Sequence, residues 1–92
     1  MFRLWGKIVK DHHILDDMTV ENGNYALSDE ELVRDAIDRM CVRFDLSHPI
    51  WLAKNRKEFA ARHRTRFAAD SFIDPISFDY LEIQMLEDIN MP

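Results

Sequence analysis

The segment from Ser28 to Phe44 constrains this chain more than any other. Leu32, Val33, Ala36, Ile37, Met40, Cys41 and Phe44 fall on one helical face, with Arg34, Asp35, Asp38 and Arg39 opposite. Ser28 and Glu31 have capping-box spacing: the Ser28 hydroxyl accepts from the Glu31 amide while the Glu31 side chain reaches back. Asp29, Glu30 and Glu31 suit the positive end of the helix dipole. Such a stripe must lie against another apolar layer, and 92 residues leave room for a single domain, 1–92, to supply it. Six Phe, two Tyr, two Trp and 47% hydrophobic residues give that domain a core and exclude disorder.

The other layer is read from two-residue alternation. Residues 2–10 form a strand, with Phe2, Leu4 and Ile8 facing one way and Trp5 and Val9 the other. Asp11-His12-His13 interrupts the pattern and Ile14 to Val20 resumes it, which predicts a hairpin. A two-residue loop at Asp11-His12 sets Val9 against Ile14, Trp5 against Met18 and Lys7 against Asp16. A three-residue loop sets Leu4 against Val20 and Lys7 against Asp17. Both put a Lys opposite an Asp, so charge leaves the register open. Glu21-Asn22-Gly23-Asn24 is a loop, and Ser47-His48-Pro49 ends the helical region.

After the apolar plug Ile50-Trp51-Leu52, a second helix is expected from near Asn55, where Asn55 and Glu58 repeat the capping-box spacing. It carries Phe59, Ala60, His63 and Phe67 on one side and ends between Arg64 and Ala69. Ile76 to Glu87, preceded by Asp74-Pro75, reads as a third strand. Its alternation slips, and a bulge near Tyr80-Leu81 would bring Ile76, Phe78, Tyr80, Leu81, Ile83 and Met85 to one face. Residues 88–92 read as a frayed tail. The expected fold is therefore α+β in the order β-β-α-α-β: a small, mainly antiparallel three-stranded sheet with two helices packed on it. The terminal strand pairs beside the first.

Cys41, the lone cysteine, excludes a disulfide and a Cys-rich zinc site. It sits in the apolar stripe and reads as a buried, inert thiol. Asp11-His12-His13 with Asp16-Asp17 has ligand chemistry for a metal. Neighbours on a strand diverge, however, and the segment reads as a polar turn. Its three letters D-H-H match the signature of the DHH phosphoesterases, which look like much larger proteins with several separated ligand motifs; the rest are missing here. His63 reads as a core histidine and His48 as a turn residue. No catalytic arrangement is visible, and no cofactor or metal is expected. No apolar run approaches the ~20 residues of a membrane span. The charge-broken start Met1 to Lys7 is not a signal peptide, so a cytoplasmic location and no membrane partner are expected.

Net charge is −5, yet Lys54, Arg56, Lys57, Arg62, Arg64 and Arg66 lie within thirteen residues that hold one acid, Glu58. These six are the candidate anion-binding residues, for nucleic acid or another polyanion. Trp5, Val9 and Leu15 are the candidate interface: facing away from the helices, they leave an apolar sheet face that either the second helix or a second chain would cover. The leading expectation is a non-enzymatic protein acting through self-association or a protein partner, with the polyanion-binding module as the alternative. By Phe44-Asp45-Leu46-Ser47, Pro49-Ile50-Trp51-Leu52 and Phe78-Asp79-Tyr80-Leu81-Glu82-Ile83, the chain is similar to short uncharacterised bacterial proteins of its length. That resemblance implies no activity, cofactor or site residue.

Overall fold

The first helix forms where its stripe requires. In a computed structural model that describes residues 1–88, α1 spans Asp29–Phe44. Its capping box is closed: the Glu31 amide donates to Ser28 Oγ at 3.2 Å and the Ser28 hydroxyl donates to Glu31 Oε1 at 3.0 Å. Asp45 stops the helix, before Pro49 can, by turning left-handed (φ 55°) and donating its amide to the Cys41 carbonyl.

Among the described residues the sheet beneath has four strands, not three: β1 (Phe2–Lys10), β2 (His13–Asn22), β3 (Arg64–Phe67) and β4 (Tyr80–Glu87). All neighbours are antiparallel in the order β2-β1-β4-β3, so β4 does pair beside β1. The unforeseen strand is β3. The second helix, α2 (Ala53–Arg62), ends where His63 takes a left-handed conformation (φ 58°) and donates its amide to the Phe59 carbonyl at 2.9 Å. His63 and Phe67 therefore do not continue the helix. The helix also starts earlier than expected: Leu52 is its cap, and Asn55, in the first turn, accepts the Leu52 amide at 2.9 Å.

The hairpin resolves its register by using both alternatives. A two-residue turn at Asp11 and His12, both with positive φ, sets Val9 against Ile14. A bulge then absorbs one residue, and the pairs that follow include Ile8–Asp16, Lys7–Asp17, Gly6–Met18 and Leu4–Val20. The bulge has a clear physical reason. Without it Met18 and Val20 would share the face of Trp5, whereas the one-residue slip returns both to the core.

No bulge falls at Tyr80-Leu81, because Ile76 and Phe78 belong to the loop before β4, where Phe78 is buried. Leu81, Ile83 and Met85 then need no slip to share the helix-covered face. That face joins Phe2, Leu4, Val20, Phe67, Leu81 and Ile83 to Leu32, Ala36, Ile37 and Met40 of α1 in one core. Each fully buried side chain of this size contributes ~1.5–3 kcal/mol. Gly6 lets α1 come close: a Cβ there would lie 2.3 Å from Met40 Sδ. Among the described residues no helix is long and apolar enough to cross a membrane. Of the expected tail, Asp88 is described and residues 89–92 lie outside the described residues.

Candidate functional site

Side chains on the other face of the sheet meet in rows. Register places Asp17, Lys7, Glu82 and Arg66 side by side across β2, β1, β4 and β3, alternating in charge. Glu82, almost fully buried, is held from both sides, with Lys7 Nζ at 3.1 Å from Oε2 and Arg66 Nε donating to Oε1 at 2.8 Å. Burial pushes its pKa up, but the bonds from Arg66 and Lys7 outweigh that and hold it below the ordinary value. Each cation also covers an aromatic ring, Lys7 over Trp5 at 4.5 Å and Arg66 over Tyr80 at 4.4 Å. The face expected to be apolar thus carries an ionic lattice with aromatic inserts.

Of the three candidate interface residues, Trp5 is half-buried and donates Nε1–H to Asp17 Oδ2 at 2.9 Å, and Val9 is buried. Leu15 alone stays open, 54% exposed at the bulge beside Ile14. The six basic residues are divided between two sides of the molecule. Lys54, Arg56, Lys57 and Arg62 lie on α2, on the helix side of the sheet; Arg64 and Arg66 are on the ionic face. Lys54 is paired with Asp70 at 3.3 Å and Arg66 with Glu82.

The two sheet edges differ, for reasons visible in the backbone. Met85 donates its amide to the His63 carbonyl at 2.8 Å, which sets Thr65 and Phe67 toward β4 and turns the backbone groups of Arg64 and Arg66 outward. Fully buried Asn55 closes that edge: its Nδ2 donates to the Arg66 carbonyl and to Thr65 Oγ1, both at 2.9 Å. The Thr65 hydroxyl passes a bond on to Glu58 Oε1 at 2.8 Å. Helix α2 therefore lies along β3 and caps its outward carbonyl at Arg66.

Among the described residues no such cover lies on β2. The Asp17 amide donates to its neighbour's carboxylate, Asp16 Oδ1, at 2.9 Å, so it points away from β1. Alternation turns the backbone groups of Thr19 and Glu21 the same way. Among the described residues none of these three makes a backbone bond outside its own hairpin. The side chains of Asp17, Thr19 and Glu21 all lie on the ionic face. Sequence reading missed this edge because a strand's free side is fixed by its neighbours and not by its own residues. The Lys7–Asp17 pairing was the part of the signal that could be found.

A groove of about 590 Å³ lies between α1 and α2, with Val33, Trp51, Phe59 and Met85 among its lining. Trp51 stacks edge-on against Phe59 and Phe67, with centroids 5.6 and 5.1 Å apart. At one end burial and the nearby Asp88 carboxylate push the Asp29 carboxyl up from its ordinary value. His48 and His63 also line the groove, but His48 is turned to Asp38 and His63 serves the end of α2. Burial, with Asp38 adding to it, pushes the Cys41 thiol up to about 11, so it stays protonated and unreactive at neutral pH. His12 and His13 are exposed at the hairpin turn. Among the described residues no three His, Cys, Asp or Glu groups could hold a metal ion. No family model matches this chain, and neither a curated protein nor a solved structure is similar to it.

Proposed function

We propose that this chain is a non-enzymatic cytoplasmic module that works by association, receiving an extended segment of a protein partner along the outer edge of β2. The carrying observation is the asymmetry of the edges: α2 and Asn55 cover β3 at Arg66, whereas among the described residues β2 keeps outward amides at Thr19 and Glu21 and outward carbonyls at Asp17, Thr19 and Glu21, the Asp17 amide being taken by Asp16 Oδ1. An open edge strand is a template for strand addition, in which main-chain bonds give affinity and alternate side chains give specificity. Half-exposed Ile14 and Leu15 supply apolar contact at one end of that edge. The self-association reading loses its driving force, since the lattice leaves no apolar sheet face to cover. The polyanion reading is left with the four cations of α2, on the side opposite Arg64 and Arg66.

A photoreactive side chain placed at Thr19, with one at Lys57 as comparison, tests this in cells. The expected result is a cross-linked heteromeric protein product at Thr19 that disappears when Glu21→Pro removes an outward amide. Products at Lys57 alone would overturn the reading, and nuclease-sensitive ones would favour the polyanion alternative.

A further inference from the structure

The charge rows of the sheet bear on the chemistry of the strand that β2 would receive. We propose that the partner strand is basic, with Lys or Arg at two positions four residues apart, so that one cation meets Asp17 and the other meets Glu21. This inference rests on the strand-addition reading.

Across the ionic face the sign alternates at every strand, negative at Asp17, positive at Lys7, negative at Glu82 and positive at Arg66. At the β3 edge the row ends on a cation that is already satisfied by Glu82. At the open edge it ends on Asp17, where one carboxylate oxygen takes the Trp5 indole N–H. A second row ends the same way: Glu21 closes β2 beside Arg3 at 3.5 Å, with both side chains about half exposed. A fifth strand continues both rows only by placing positive charge opposite Asp17 and again opposite Glu21, since like charges directly across a strand pair are destabilising.

Between them Thr19 asks only for a small or polar neighbour. The intervening residues of the incoming strand turn to the core side, along Met18 and Val20, and favour Val or Thr. The same charges argue against a second copy. Strand β2 carries Asp16, Asp17 and Glu21 and no Lys or Arg, so pairing with itself brings acids together without a counter-ion. Asp16 is already engaged by Arg43 of α1 at 3.0 Å and takes no part.

Three capped peptides test the proposal by calorimetry and by amide chemical shifts of the full chain. They are Thr-Arg-Val-Thr-Val-Arg-Thr and its two counterparts with Gln or Glu replacing both Arg residues. The arginine peptide is expected to bind roughly tenfold tighter than the glutamine peptide, two cross-strand ion pairs being the difference. Its shifts should centre on Asp17, Thr19 and Glu21, and its advantage should shrink as salt rises. The combined variant Asp17→Lys with Glu21→Lys should reverse the order and prefer the glutamate peptide. Equal binding of all three at the β2 edge would overturn the charge rule while leaving strand addition standing. Shifts confined to α2 or to the groove, or no binding of any peptide at about 1 mM, where affinity is already weak, would overturn both.

Discussion

Glu82 sits at the middle of the ionic face, where a carboxylate would be expensive were it not held from two sides. Its pKa is lowered in the folded protein because the bonds from Arg66 and Lys7 exceed the cost of burial. A carboxyl depressed in this way stabilises the fold above its unfolded pKa. That stability is lost as pH falls through the folded value. Replacing it with glutamine keeps the shape, removes the charge, and leaves a single neutral acceptor oxygen where Lys7 and Arg66 each had a carboxylate oxygen. The Glu82→Gln variant is expected to be about 1–3 kcal/mol less stable than the natural chain at pH 7. The gap should close as pH drops below 4.5, the ordinary glutamate value, because the natural side chain then becomes neutral as well. Urea unfolding between pH 7 and pH 3 checks this. A gap that stays constant with pH would mean that the ion pairs do not carry the effect.

At the level of elements, the parts legible in the sequence were those whose pattern and boundary are written in adjacent residues. Helix α1 has both a stripe and a capping box, and it forms as expected. Strand β3 has only Arg64-Thr65-Arg66-Phe67, four residues that follow a helix without a Gly or Pro, and the break falls on a left-handed His63 that residue type does not announce. The candidate site was half legible. Lys7 facing an aspartate was visible in both hairpin registers, whereas its pairing with Glu82 depends on how distant strands align. The bulge in β2 explains why neither register sufficed alone, and it makes a prediction. Deleting Leu15 removes the extra residue yet leaves Lys7 against Asp17 and Leu4 against Val20, so the fold should survive with a regular hairpin. Deleting Thr19 leaves Asp17 in register but moves Val20 off the core face, and should abolish cooperative unfolding. Thermal melts followed by circular dichroism separate the two. Equal damage from both deletions would show that the bulge has a role beyond register.

For the whole molecule, the distribution of charge reads as control over what may join the sheet. One edge is covered at Arg66 by α2. The other is left open but lined with acids, and a chain with net charge −5 gains little from meeting a copy of itself there. Proteins commonly protect an edge with lysines, a bulge or a covering loop. Here the bulge blunts only the Ile14-Leu15 end and the acids guard the rest. If the acids are the guard, removing them should release self-pairing without unfolding the monomer, because their exposed pairs contribute little to stability, ~0–1 kcal/mol each. The double variant Asp17→Thr with Glu21→Thr should therefore keep the fold and gain strand propensity along the edge. Light scattering should show the natural chain at its monomer mass of 11.0 kDa, and the variant rising toward twice that mass as concentration increases. Returning a single charge, as Asp17→Thr with Glu21 intact, should restore much of the monomer. A variant that stays monomeric at every concentration would assign the protection to the bulge and deprive the acids of their role in selecting a partner.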